Sequence, residues 1–345
     1  MKQYDVVVVG MGIMGCAVAA RLTQAGLNVL SLEQYELGNN RNSSHGQTRL
    51  FRLSYFEDSL YVPLLKEALE DWLTINRTSG EEILSLNGLL IAGDLERSQT
   101  LQGVLASASE YQLEVDTIKG SDCSQLISGL KVPPSWTGLL DKQAGFLDLD
   151  KSLHFFTEVV RSGSGQIMEG TVMELFNEHG GGVEVKTSKG IFSCSHLIVT
   201  AGSWLNRIAG GQYPLEVEMN LQYWFKSRGC EDFSGSVPAF AFDTPDGFYY
   251  GVPQFGSEGL VKVAKHKTGF LLDELEQLFQ DSRRNLSEIQ SIIERYLPGV
   301  APELIREEPC LYTNTPDGHF ILDSACPKTH KNQMMTVLIK REARS

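Results

Sequence analysis

The chain has 345 residues, 42% of them hydrophobic, and its 30 basic against 43 acidic side chains give a formal charge of −13. That length suits two domains of ~150 residues each, and the acidic balance argues against nucleic acid or an anionic membrane as the main partner. No apolar run approaches the ~20 residues of a membrane span, and a strand beginning by Asp5 leaves no room for a signal peptide.

The first element is the most informative. Val6, Val7, Val8 and Val9 read as a strand buried on both faces, as in a parallel sheet. Gly10, Gly12 and Gly15 follow at once, and Cys16 to Leu22 reads as a helix with a small-residue packing face. Gly10 permits the tight turn, Gly12 lets backbone approach a pyrophosphate, and Gly15 lets helix and strand pack closely. The helix N-terminus offers N–H groups and partial positive charge to phosphates. A second strand, Asn28 to Leu32, ends at Glu33, whose carboxylate can accept both ribose hydroxyls of an adenosine. Strand, glycines, helix, strand and acid in this order predict a dinucleotide site.

Residues 34–58 include a stretch, Gly38 to Arg49, too polar for a core element, and they read as an ordered functional loop. A helix is predicted over Tyr61–Thr78, a short strand over Asn87–Gly93 and a helix over 95–112. Phe192–Val199 returns as a strand, and Thr200, Ala201, Gly202, Ser203 and Trp204 follow it as backbone packed against a ligand. Residues 217–226, 238–243, 247–253 and 260–266 read as strands of a mainly antiparallel sheet, and Leu275–Tyr296 as a helix stopped by Pro298. The six cysteines (Cys16, Cys123, Cys194, Cys230, Cys310 and Cys326) lack paired or metal-like spacing, so a reducing, cytoplasmic setting and no metal are expected.

Several of these motifs together resemble the monomeric sarcosine oxidase family of flavoproteins, which includes N-methyltryptophan and L-pipecolate oxidases. The resemblance runs to about Asp323. It rests on the glycine fingerprint with Glu33, on Ser43 to Arg52, on Tyr249 to Pro253, on Gly259 to His266, and on Cys310 to Asp317. It implies an α/β fold: a doubly wound, glutathione-reductase-like FAD-binding domain (1–85, 145–212 and 305–345) interleaved with an antiparallel-sheet catalytic domain (86–144 and 213–304). It implies FAD held at Gly10, Gly12, Gly15, Glu33, Ser43, Ser44 and Gly202, and bonded covalently to Cys310.

The same resemblance implies the catalytic set. Arg52 would grip a substrate carboxylate with its planar guanidinium. Arg49 and His45 would lie beside the flavin ring, stabilise negative charge there and assist attachment at Cys310. Tyr250 and His266 would line the substrate amine, and Lys262 or Lys265 would favour oxygen reduction. The implied reaction is oxidation of a small N-methyl or cyclic amino acid to an imine, with O2 reduced to H2O2 by a monomer. An FAD-dependent dehydrogenase and a catalytically dead flavin-fold protein are the alternatives. After Asp323 the family continues into a strand and a Gly-Phe-Ser-Gly-His-Gly-Phe-Lys turn, whereas this chain has Gln333 to Ser345 and no glycine beyond Gly318. A truncated family end, with weaker flavin retention and activity, is the expectation. Eukaryotic relatives are peroxisomal, but Ala343-Arg344-Ser345 is not a Ser-Lys-Leu address.

Overall fold

The four valines of the first strand, Lys2–Val9, alternate across it and feed two cores. In the computed structural model, which describes residues 2–179, 182–229, 233–275, 277, 284–325 and 334–337, Val6 and Val8 pack against the helices Ile13–Gln24 and Leu149–Ser162. Val7 and Val9 face the other way, toward Leu30, Leu32, Leu205 and Tyr213. The strand runs parallel to Val29–Leu32 on one side and to Gly190–Val199 on the other. Both faces are therefore covered, which is why the run is continuously apolar.

Around these strands lies the first sheet, eight-stranded among the described residues. Gln166–Met168 extends it beyond Val29–Leu32, and the antiparallel pair Met173–His179 and Gly182–Thr187 extends it beyond Gly190–Val199. Met334–Val337 also joins Gly190–Val199 in parallel. Residues 315–321 lead into a strand Leu322–Ala325 that pairs antiparallel with it.

The second sheet is also eight-stranded among the described residues. It runs from Val300–Asn314 through Glu216–Ser227, Leu260–His266, Gly247–Phe255 and Ala239–Thr244 to Leu89–Gly93, Thr137–Asp141 and Val115–Lys119. It is antiparallel except where Ala239–Thr244 meets Leu89–Gly93. Phe225, Phe240, Phe242, Tyr223 and Tyr249 fill its core with the helix Leu286–Tyr296.

Three sequence expectations can be set beside these elements. The domain boundary expected at 305 falls inside one strand, Val300–Asn314, which pairs along Glu216–Ser227 in the second sheet. The polar segment 34–58 is not all loop, because Thr48–Phe51 pairs antiparallel with Gly145–Asp148 in a small third sheet. The helix expected over Leu275–Tyr296 is Leu286–Tyr296, with residues 276 and 278–283 outside the described ones. Before it, the Leu272 N–H donates to the Val217 carbonyl at 2.8 Å, and Leu272 and Leu275 pack on Met219 and Leu311. That backbone, just upstream of the expected helix, is tied to a strand.

Candidate active site

Gly10 sits at φ +95°, and a Cβ there would stand 2.6 Å from the Thr200 carbonyl oxygen. A Cβ on Gly15 would stand 1.8 Å from the Gly10 carbonyl oxygen. The opening turn closes only with glycine at both places. Gly12 caps the helix without a side chain, and the Ser44 hydroxyl accepts the Ile13 N–H at 3.0 Å. Glu33 is buried at the strand end, where its two oxygens accept the Met11 and Tyr35 N–H groups at 2.9 and 3.0 Å. Gly202, at φ +51°, has open space where a Cβ would be. Gly10, Gly12, Glu33, Ser44 and Gly202 all line one cavity of about 700 Å³. Bare backbone at a helix start, an anchored carboxylate and an open glycine fit an adenine dinucleotide.

The same cavity continues to the second sheet, and the loop before Thr48 joins its two ends. Ser43 donates to the Leu311 carbonyl at 2.6 Å, next to Cys310. Arg49 donates to the Thr48 carbonyl at 2.8 Å, to the Ser43 carbonyl, and to the Cys310 sulfur at 3.4 Å. Cys310 is buried, unbridged and part of the cavity wall.

Lys262 is buried in the wall, its ammonium donating to the Gly46 and Thr48 carbonyls at 2.9 and 3.1 Å. Burial and the nearby Arg49 charge push its pKa well below the usual lysine value. Lys265 is elsewhere, bound to Glu288 at 2.6 Å. Of the two lysines, Lys262 is the one against the cavity.

His266 and Tyr250 line the cavity with Phe248 and Tyr312. The His266 Nδ1 lies 3.3 Å from the Tyr312 hydroxyl, and the Phe248 ring meets its imidazole edge-on at 5.8 Å. Tyr312 was not foreseen, although it stands two residues beyond Cys310 and so on the same strand face.

Arg52 lines the cavity but is not a free cation. Its guanidinium nitrogen reaches both Glu57 oxygens, at 2.5 and 2.7 Å, and its plane lies near the Tyr55 and Phe56 rings, at 4.7 and 4.4 Å. Arg52 and Glu57 side chains are both 7% exposed. The guanidinium expected to grip a substrate carboxylate is thus held by a protein carboxylate, which a second carboxylate has to share or displace. Glu57 was missed, though it lies five residues from Arg52 in a loop rich in aromatics. Gly15 and His45 stand behind the cavity wall rather than in it. Gly15 serves packing, and the His45 Nδ1 lies 3.3 Å from the Glu308 carboxylate. Among the described residues no group of histidines, cysteines and carboxylates could hold a metal, and no helix is long and apolar enough to cross a membrane.

Residues 5–335 match the family described as FAD dependent oxidoreductase. The monomeric sarcosine oxidase of Arthrobacter sp. (strain TE1826) is 30% identical over 331 residues, covering 93% of this chain and 84% of that protein. The peroxisomal sarcosine oxidase of Mus musculus is 32% identical over 336 residues, covering 93% and 83%. Among solved structures, the open form of NikD, an amino acid oxidase essential for nikkomycin biosynthesis, superposes with a TM-score of 0.86 at 21% identity over 98% of this chain and 89% of that one. A family match across both sheets, together with a dinucleotide cradle leading to a buried cysteine, makes this chain a member of the FAD-dependent oxidoreductase family, similar to the sarcosine oxidases.

Proposed function

We propose that the chain oxidises a small secondary amino acid, N-methylated or cyclic, to an imine, with O2 reduced to H2O2. The C–H bond beside the amine breaks, a C=N bond forms, and two electrons with two protons end on dioxygen. Bound flavin supplies the two-electron acceptor that dioxygen reoxidises. The observation that carries this reading is the single cavity. It joins the glycine turn and Glu33 at one end to Cys310, Lys262, Arg52, Tyr250 and His266 at the other.

Each role follows from a local environment. Gly10, Gly12, Ser43, Ser44, Glu33 and Gly202 hold the dinucleotide, Gly15 keeps their turn closed, and Cys310, beside Arg49, carries the flavin covalently. Arg52 takes the substrate carboxylate once Glu57 yields. His266 and Tyr250 face the amine, which reacts with its lone pair free, and His266 is held by Tyr312. Lys262 lies where oxygen is reduced; its N–H groups point to carbonyls, so it acts through the field of an amine whose protonation burial opposes. The protein works as a monomer on the amino acid and O2. Its FAD-binding part centres on the first sheet and its catalytic part on the second, with the strand Val300–Asn314 serving both.

Purified protein tests this directly. A yellow preparation that forms peroxide with sarcosine or pipecolate, and keeps its colour in an acid-precipitated pellet, is expected. Cys310→Ala should release its flavin to the supernatant. Colourless protein, or a coloured one that turns over secondary amino acids only with an artificial acceptor, overturns the oxidase reading.

A further inference from the structure

The loop that separates Arg52 from Glu57 is held at four successive residues. Leu53 is buried in a small core with Phe51, Leu69 and Leu84. Ser54 is fully buried, and its N–H and hydroxyl donate to one carboxylate oxygen of Asp141, at 3.0 and 2.5 Å. The Tyr55 carbonyl accepts the Ser107 hydroxyl at 2.6 Å. A Cβ on Gly103 would stand 2.4 Å from the Phe56 carbonyl oxygen, so the helix Gln99–Tyr111 closes on the loop through Gly103 and Ser107.

Asp141 ends the strand Thr137–Asp141 of the second sheet and is 2% exposed. Its other oxygen accepts the Gln143 N–H at 3.0 Å, so its partners among the described residues are three N–H and O–H donors and no cation. A buried carboxylate is costly unless hydrogen bonds satisfy it, and here Ser54 supplies two of the three. An amide in its place has to turn an NH2 toward one of these donors, which breaks the set.

Arg52 and Glu57 depend on this anchor unequally. Arg52 directly follows the strand Thr48–Phe51, whose backbone is paired with Gly145–Asp148. Glu57 comes three residues after Ser54 and belongs to no strand or helix. Its contact with Arg52, at 2.5 and 2.7 Å, therefore depends on where the loop is held.

We infer that Asp141 is the positioning residue of Glu57, holding through Ser54 the loop that sets Glu57 against Arg52. A carboxylate already fixed in place meets the guanidinium with little further loss of freedom, so it is a strong competitor for a substrate carboxylate. With the anchor gone, the loop has to be ordered for each such contact, and the substrate wins more readily. The inference deepens the amino acid oxidase reading and rests on it only for the carboxylate that Arg52 receives.

Two measurements on the purified full chain with its flavin separate the parts. Asp141→Asn should lower KM for sarcosine by about 2–10-fold, the worth of ordering one or two side chains. It should add no further fall in a Glu57→Gln background. An unchanged or raised KM in Asp141→Asn, or an equal further fall in the double variant, overturns the inference. Should Asp141→Asn fail to fold, Ser54→Ala decides by the same comparison, because it keeps Asp141 and the bond to the residue 54 N–H. The second measurement is Tm of wild type, the two single variants and the double variant, which reads the coupling without substrate. Glu57→Gln should lower Tm less in the Asp141→Asn background than in wild type. Equal losses overturn action through Glu57, since a role in stability alone would simply add. Wild type that turns over sarcosine and dimethylamine alike defeats the carboxylate role of Arg52 alone, because the Tm cycle still decides whether Asp141 holds Glu57.

Discussion

The Arg52 guanidinium is held by Glu57 and lies near two aromatic rings, so a substrate carboxylate has to compete with a buried partner for it. Two predictions follow from that competition. Carboxylated secondary amines should be turned over ~10–150-fold better than their decarboxylated counterparts, the worth of a charged hydrogen bond of ~1.5–3 kcal/mol. Comparable kcat/KM for sarcosine and dimethylamine would remove Arg52 from that role, and Arg52→Lys should also be impaired because an ammonium lacks the planar fork. Glu57→Gln should lower KM for a carboxylated substrate while lowering Tm. The competitor is gone, yet breaking a buried ion pair costs ~3–5 kcal/mol; a raised KM would show that Glu57 helps binding. A further prediction concerns pH. The folded-state carboxyl of Glu308 lies below its unfolded value, so the stability it contributes is present above the unfolded pKa and is lost as pH falls through the folded one. Tm measured across the acid range should therefore fall less steeply in Glu308→Gln than in wild type, and parallel curves would refute the shift. At this scale the sequence was partly legible. The choice of Lys262 over Lys265 follows from strand alternation, since Lys262 and His266 share a face that Lys265 does not. Glu57 and Glu308 were not legible, because their roles depend on which buried cation or imidazole folds against them.

Elements were easiest to read where one local rule and the tertiary packing agree. The opening strand, turn and helix carry β-propensity, a glycine turn and small helix residues that all serve the same packing, and they form as expected. Gly15 is the tightest point of that unit. An added methyl would meet the Gly10 carbonyl oxygen at 1.8 Å and the Thr200 hydroxyl at 2.7 Å, and the first of these is backbone that cannot swing aside. Gly15→Ala should lower stability by at least ~1–3 kcal/mol, the usual cost of overpacking, and should weaken FAD retention because the turn that faces the pyrophosphate must open. Calorimetry and the flavin-to-protein absorbance ratio check it; wild-type values of both would mean that the helix slides without cost. Of the helix expected over Leu275–Tyr296, the part from Leu286 forms as expected, and residues 276 and 278–283 lie outside the described ones. Thr48–Phe51 was hidden for the complementary reason, since its pairing partner Gly145–Asp148 lies nearly a hundred residues further along the chain.

At the scale of the whole molecule, the cofactor cavity is built from parts that no short segment of sequence brings together. The glycine turn and Glu33 come from the first sheet, Tyr250, Lys262 and His266 from the second, and Arg49 and Arg52 from the small third sheet and the residue after it. Val300–Asn314, an edge strand of the second sheet, brings Cys310 to the same wall, and its neighbour Leu311 receives the Ser43 hydroxyl. A group that fills such a cavity contacts all three sheets at once, and none of those contacts survives in the unfolded chain. Binding therefore has to stabilise the fold as a unit, by ~2.7 kcal/mol at a ligand concentration of 100 Kd. The Cys310→Ala variant makes this measurable, because its FAD can be removed and titrated back. Adding saturating FAD should raise its Tm by about 4–10 °C, and the transitions of the two large sheets should merge into one. A probe on each sheet reads this: Trp224 fluorescence for the second, and protease cleavage near the opening helix for the first. Stabilisation of the first sheet alone, with Trp224 melting unchanged, would mean that the dinucleotide end carries the binding and that the flavin end does not couple the sheets. Equal shifts on both would show that the cavity is the element through which the sheets are held together.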